Sequence, residues 1–272
     1  MRSSPGELAP DLALTRTLAD CLPGGRLAGP LRAYRSLAST QTVARAWAQD
    51  GAPEGAVVLA DYQTAGRGQR GRSWTAPAGS ALLFSVVLRP PVSVARWPEI
   101  PLAAGCAIAE GVEAAGPVSA RLKWPNDVIV DGRKVAGVLA EGVAAAPPLV
   151  ILGIGVNVSQ PEADWPPHLR NRAASLAALG APVSRETLLR ALLARLAVWY
   201  TVFLEDGFEP IRVAWRQRGL LGTRVRGADG EEGTTEDLGP RGELVVRHDN
   251  GRLGFLVSPP AGAPELARAE AR

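Results

Sequence analysis

Lysine is nearly missing from this chain of 272 residues: two occur, Lys123 and Lys134, against twenty-eight arginines. Where surface cations are otherwise written as arginine, two retained lysines point to compact ammonium groups that a planar guanidinium cannot replace. Chance survival under coding drift is the alternative, and the lysine count alone does not separate the two. Cysteine and histidine are as scarce, two of each. Cys21 and Cys106 are far apart and without metal-ligand spacing, so neither a disulfide framework nor a histidine-based zinc site is expected, and a reducing cytoplasmic compartment is. No run of eighteen apolar residues appears and the start, Met-Arg-Ser-Ser-Pro-Gly-Glu, has no hydrophobic signal core, so neither export nor membrane spanning is expected. The formal net charge of +3 is small and acidic residues are interspersed almost throughout, so no nucleic-acid partner is required.

What is present reads as a folded protein, with 46% hydrophobic and 21% charged residues. Residues 1–30 form an N-terminal extension with Pro5, Pro10, Pro23, Pro30 and a Gly24-Gly25 pair around one short apolar patch, Leu12 to Leu22. That is at most one helix, too short for a winged helix-turn-helix module ahead of Leu31. Residues 31–219 are denser. Ser39-Thr40 precedes a helical apolar face ending near Asp50-Gly51. Ala56–Ala60 and Ala81–Leu88 read as strands on either side of a glycine-rich loop, and Ile100–Ala115 as a small-residue helix. Arg121–Trp124 enters a Pro125 turn, then Val128–Val130 and Val135–Leu139 pair across Asp131-Gly132, a strong hairpin signal. Leu149–Val158 is a further strand, with Gly153 and Gly155 on one face. Helices over Glu186–Leu204 and Phe208–Gln217 follow. Residues 220–258 shift to short strands and glycine turns, Thr223–Arg226, Gly242–Arg247 and Arg252–Val257, the outline of a small β-barrel. Residues 259–272 are an Ala/Pro/Glu/Arg tail, expected to be disordered.

Two segments carry chemistry. The loop Gln63-Thr-Ala-Gly-Arg-Gly-Gln-Arg-Gly-Arg-Ser-Trp74 has Gly66, Gly68 and Gly71 to reach positive φ and bring amide N–H groups near an anion. Its Arg67, Arg70 and Arg72 can fork onto phosphate or carboxylate oxygens. A dinucleotide fingerprint would need a helix after it, and a strand follows instead. A solvated Arg/Gly turn is the plainer alternative. In the second segment Lys123 ends a short strand at the Trp-Pro turn. Asn126 and Asp127 add an amide and a carboxylate, the latter able to hold Mg²⁺ or to take a proton from an amine; an Asx-capped turn would explain them equally. Gly137, Gly153 and Gly155 offer either bare backbone beside a pocket or tight strand packing.

Taken in order, Gln-Thr-Ala-Gly-Arg-Gly-x-Arg-Gly-Arg-x-Trp, Lys-Trp-Pro-Asn-Asp, Arg-Lys-Val-Ala-Gly-Val-Leu-Ala-Glu and Gly-Ile-Gly-Val-Asn resemble the biotin–protein ligases, from Leu31 to the C-terminal barrel. The resemblance implies an α+β fold. Its parts are a mixed, largely antiparallel sheet with helices packed on it, like a class II synthetase, and a small SH3-like β-barrel. It implies the monofunctional type without a DNA-binding domain, a monomer or weak homodimer. The implied chemistry uses biotin and Mg-ATP: biotin is activated as biotinyl-5'-AMP, then passed to a lysine of the biotin carboxyl carrier domain of an acyl-CoA carboxylase. Carried over by motif, Ser39, Thr40, Gln41 and Gln63 would face biotin, with Gly66, Arg67, Gly68, Gln69, Lys123, Gly137, Gly153 and Gly155. Arg67, Arg70, Arg72, Trp74, Asn126 and Asn157 would meet ATP or the adenylate. Lys123, Arg67, Asp127 and Lys134 would be catalytic, with Asp127 also the metal carboxylate. Gln41 replaces a common Asn, and Gln69 stands where several relatives carry a basic residue. A lipoate ligase would share the fold but carry an Arg-Arg-x-x-Gly-Gly-Gly loop, absent here. A biotin-responsive DNA-binding repressor is the third reading, and the short N-terminal extension argues against it.

Overall fold

Seven strands form the main sheet of the computed structural model, which describes residues 9–144, 147–226 and 231–257. They are β1 (Leu31–Tyr34), β2 (Val57–Ala60), β3 (Ala81–Leu88), β4 (Arg121–Lys123), β5 (Asp127–Val130), β6 (Arg133–Val143) and β7 (Leu149–Asn157). The order is β1-β2-β3-β7-β6-β5-β4, with β1 parallel to β2 and every other pair antiparallel. Five helices accompany it: α1 (Leu12–Ala19), α2 (Thr40–Gln49), α3 (Ile100–Ala115), α4 (Arg185–Glu205) and α5 (Glu209–Arg218).

The pleat assigns each strand's residues to two faces. Leu82, Phe84, Val86 and Leu88 of β3 and Val150, Leu152, Ile154 and Val156 of β7 join the core formed with α3, α4 and α5. Val87, Leu149 and Ile151 face α2 instead, meeting Ala44 and Ala48. Further along that second face the apolar residues give way to glycine, and a cleft opens. The small residues of α3 let α4 approach until a Cβ on Gly111 would stand 2.6 Å from Leu192 Cδ2. By length and composition α4 is apolar enough to cross a membrane, but here Leu188, Leu189, Leu192, Leu193, Leu196, Tyr200 and Phe203 are buried in the core. Each large side chain so buried contributes roughly 1.5–3 kcal/mol of transfer free energy.

Two further segments pack on the main sheet and its helices. The N-terminal segment is part of the main domain: Leu18, Cys21 and Leu27 are buried in the first core, Asp11 N–H donates to Ala33 O at 2.8 Å, and Asp11 caps α1 through Leu14 N–H. Its apolar residues are too few to fold alone but complete a face of the sheet. Where the small β-barrel was expected, the C-terminal strands β8 (Arg224–Arg226), β9 (Glu232–Leu238), β10 (Leu244–His248) and β11 (Leu253–Leu256) form a small antiparallel sheet in the order β11-β10-β9-β8. Leu238 enters the main core, Arg216 Nε pairs with Asp237 Oδ1 at 2.7 Å, and Trp124 Nε1 donates to Gly242 O at 2.8 Å. The tail expected from residue 259 lies outside the described residues.

Candidate active site

The floor of the cleft follows from strand register. Gly137 of β6 lies opposite Gly155 of β7, and Leu139 opposite Gly153, while Leu83 and Ser85 of β3 flank the same two β7 glycines. Three neighbouring positions on one face therefore lack a Cβ, and side chains from elsewhere enter that space. A Cβ on Gly153 would stand 2.9 Å from Gln41 Cδ, one on Gly155 2.8 Å from Trp74 Cε2, and one on Gly137 2.9 Å from Lys134 Nζ. The resulting cleft holds about 190 Å³.

One end is set by the start of α2. Ser39 occupies the N-cap position yet makes no capping bond; its Oγ is buried without a partner, as is Gln41 Oε1. Capping falls instead to Gln63, whose Oε1 accepts from Thr40 N–H at 2.7 Å and from Thr40 Oγ1 at 3.1 Å, while Ser85 Oγ donates to Thr40 Oγ1 at 2.8 Å. Buried polar atoms normally find partners, because leaving one unpaired costs about 1–3 kcal/mol. The Ser39 hydroxyl and the Gln41 carbonyl both line the cleft, so they are groups available to a polar ligand.

The glycine-rich loop folds back on itself. Gly68 N–H donates to Arg72 O at 2.7 Å and Trp74 N–H to Gly66 O at 2.9 Å, with a bridge between Arg67 and Ser73. Of its three glycines only Gly71 has positive φ, at 73°, and Arg70 precedes it at 58°, a left-handed conformation that costs a non-glycine residue roughly 1–2 kcal/mol. Gly66 is needed for a different reason than expected: a Cβ there would meet Trp74 O at 2.3 Å. Gly66 does not line the cleft, whereas Arg67, Gly68, Gln69, Arg70, Arg72, Ser73 and Trp74 do.

Cations gather at the other end. Lys123 and Asp127 are register partners in the β4–β5 hairpin, and Lys134 Nζ forms an ion pair with Asp127 Oδ1 at 2.5 Å. Lys134 Nζ also sits 5.4 Å from the centre of the Trp74 ring. Burial lowers the pKa of Lys123, Asp127 opposes that shift, and Lys134, Arg172 and Arg72 add to it. The peptide before Pro125 is cis, and Asn126 Nδ2 donates to Val138 O at 2.8 Å, locking the turn against β6.

Most of the residues expected from sequence meet in this cleft; Gly66 and Asn157 are the exceptions. Asn157 is 3% exposed and spends its amide on Lys134 O at 3.3 Å and Ala174 O at 3.1 Å, so it braces the strand carrying Lys134. Asp127 is paired with Lys134, and among the described residues no three His, Cys, Asp or Glu side chains converge on a metal position. Sequence reasoning gave no site role to the lining residues Leu83, Phe84 and Leu139, nor to Glu141 and Arg172; Leu139 and Glu141 lie within the third motif, but their contacts with Gln41 and Arg67 come from segments distant in the chain.

Comparison with known proteins identifies the family. The model of the biotin/lipoate A/B protein ligase family matches residues 33–157. The biotin--[acetyl-CoA-carboxylase] ligase of Mycobacterium tuberculosis is 36% identical over 219 residues, covering 75% of this chain and 77% of that protein. The bifunctional ligase/repressor BirA of Bacillus spizizenii is 37% identical over 194 residues, which cover 70% of this chain but only 60% of the relative's length. Among solved structures, the biotin protein ligase from Aquifex aeolicus in complex with biotin and ATP superposes with a TM-score of 0.75 at 28% identity, covering 88% of this chain and 99% of that one. The chain is therefore a member of the biotin/lipoate A/B protein ligase family.

Proposed function

We propose that this protein is an ATP-dependent biotin protein ligase working in two steps. The biotin carboxylate attacks the α-phosphorus of ATP, pyrophosphate leaves and biotinyl-5'-AMP forms. A lysine amine of a biotin carboxyl carrier domain then attacks the acyl carbon, AMP leaves and the amine gives up a proton. One observation carries this reading: a single glycine-floored cleft has unpartnered polar groups at one end and a cluster of cations at the other.

The ureido ring of biotin offers two N–H donors and a carbonyl acceptor, which match the Gln41 carbonyl and the Ser39 hydroxyl, with Thr40 and Gln63 fixing the start of α2 behind them. The bare floor at Gly137, Gly153 and Gly155 admits the bicyclic ring, and Trp74 and Leu83 supply apolar walls. Bringing a carboxylate against an α-phosphate concentrates negative charge, which Lys123, Arg67 and Lys134 would offset, with Arg70 and Arg72 toward the phosphates. Mg²⁺ would arrive on the nucleotide as MgATP, held by phosphates and water rather than by a protein cage. Asn126 keeps the turn rigid, and Asp127 is the carboxylate nearest to receive the carrier amine's proton. The acetyl-CoA carboxylase in the name of the Mycobacterium relative supports a carboxylase carrier domain as acceptor.

ATP–pyrophosphate exchange tests this, with biotin and lipoate offered separately. Exchange should require biotin and Mg²⁺; exchange with lipoate alone would overturn the reading and favour a lipoate ligase. A second expectation concerns Gln69, which lines the cleft as a neutral amide. Gln69→Arg adds one charge-assisted contact to the adenylate, and after discounting for solvent it should slow biotinyl-adenylate release by up to about tenfold. A chase experiment giving equal release rates would show that Arg70, Arg72 and the loop amides already hold the phosphate.

A further inference from the structure

Glu141 ends the third motif read from the sequence, and nothing in the adenylation chemistry above uses it. Alternate residues of a strand share a face, so Glu141 stands on the cleft side of β6 with Gly137 and Leu139. Its Oε2 accepts three donors from two separate segments: Gln41 Nε2 at 3.3 Å and Arg45 Nη2 at 3.3 Å from α2, and Arg67 Nη2 at 3.1 Å from the glycine-rich loop. The side chain is 23% exposed, that of Arg67 40%. The hydrogen bonds from Gly68 to Arg72 and from Trp74 to Gly66 close within the loop itself, whereas the Arg67–Glu141 pair ties the loop to the sheet.

Two guanidinium groups to one carboxylate leave this cluster positive. An incoming anion can therefore join Arg67 without displacing Glu141. Long flexible cations lose much rotamer entropy when a ligand fixes them, and a guanidinium already held in place loses less on binding. We propose that Glu141 is a positioning residue whose carboxylate holds the Arg67 guanidinium over the cleft, pre-oriented for the carboxylate of biotin. This role rests on the biotin-ligase reading and deepens it.

The test is equilibrium binding of biotin and of biotinamide, which keeps the ring and chain but has no charge, to the wild type, Glu141→Gln and Glu141→Asp. Loss of the anchor should weaken biotin by about tenfold in Glu141→Gln and leave biotinamide within about twofold. Glu141→Asp keeps the charge on a shorter stem and should show the same biotin-selective loss to a smaller extent, which preserves the contrast should Glu141→Gln fold poorly. Equal weakening of both ligands would mark Glu141 as merely structural, and biotin binding that is unchanged or tighter would also overturn the role. A wild type that binds neither ligand would remove the biotin-ligase reading, and this role with it.

Discussion

Lys123→Arg should lower biotin-dependent ATP–pyrophosphate exchange by about one to three orders of magnitude while conserving charge. The ammonium of Lys123 is half-buried at the end of β4, held in a framework in which Lys134, Arg72 and Arg172 already crowd the same region with positive charge. A guanidinium is planar and larger than an ammonium, so it cannot take the same point-charge position between carboxylate and phosphate. The pH profile carries a second signature. Because burial and the neighbouring cations lower the pKa of Lys123, the active ammonium form prevails below that depressed value and is lost as pH rises through it. Wild-type exchange should therefore fall on the alkaline side earlier than an ordinary lysine would dictate. In Lys123→Arg the residual activity should lack that limb, since arginine does not titrate there. Steady-state exchange measured across pH reads both effects, and an unchanged rate would show that lysine is retained at this position by drift.

Gly155→Val should abolish most activity by a different route. A Cβ at Gly155 already meets Trp74 Cε2 at 2.8 Å and Cζ2 at 2.9 Å, and the branched methyl groups would stand on the floor opposite Gly137. Valine is well suited to a central strand, so β7 should form and the far-ultraviolet circular dichroism should stay as in the wild type. The cleft should close or lose its tryptophan wall, raising the KM for biotin by about a hundredfold or more. Tryptophan fluorescence should shift as Trp74 is expelled. Normal kinetics with a displaced Trp74 would mean that the glycine serves strand packing and that ligand lies elsewhere.

The elements that announced themselves in the sequence are those with local signals. Ile100–Ala115 was expected as a helix and α3 has those bounds, because its small apolar run favours helix and packs against α4. The hairpin across Asp131-Gly132 formed where expected, with φ of 47° and 72° at the two turn residues, a turn that needs left-handed backbone. Strands β1 and β9 gave no such signal. Leu-Arg-Ala-Tyr is only four residues, and Glu-Gly-Thr-Thr-Glu-Asp-Leu is mostly polar; each becomes a strand through hydrogen bonds to a partner, β2 in the first case, β8 and β10 in the second.

The candidate site divides in the same way. Its chemical groups were legible in the chain because each motif is contiguous: the arginines and glycines of residues 63–74, the lysine before Trp124-Pro125, and the alternating glycines of β7. Which of those groups face the cleft was not, since side-chain direction depends on strand register and on neighbours far along the chain. Register turns Gly137, Gly153 and Gly155 onto one face, while the amide of Asn157 bonds Lys134 O and Ala174 O. Residues 63–74 and the distant β6 meet only in the folded chain, so the Arg67–Glu141 pair had no trace in local pattern. The inclusion of Leu18, Cys21 and Leu27 in the main core is equally non-local: a short apolar segment is neutral by itself, and only the uncovered face of a sheet makes its burial favourable.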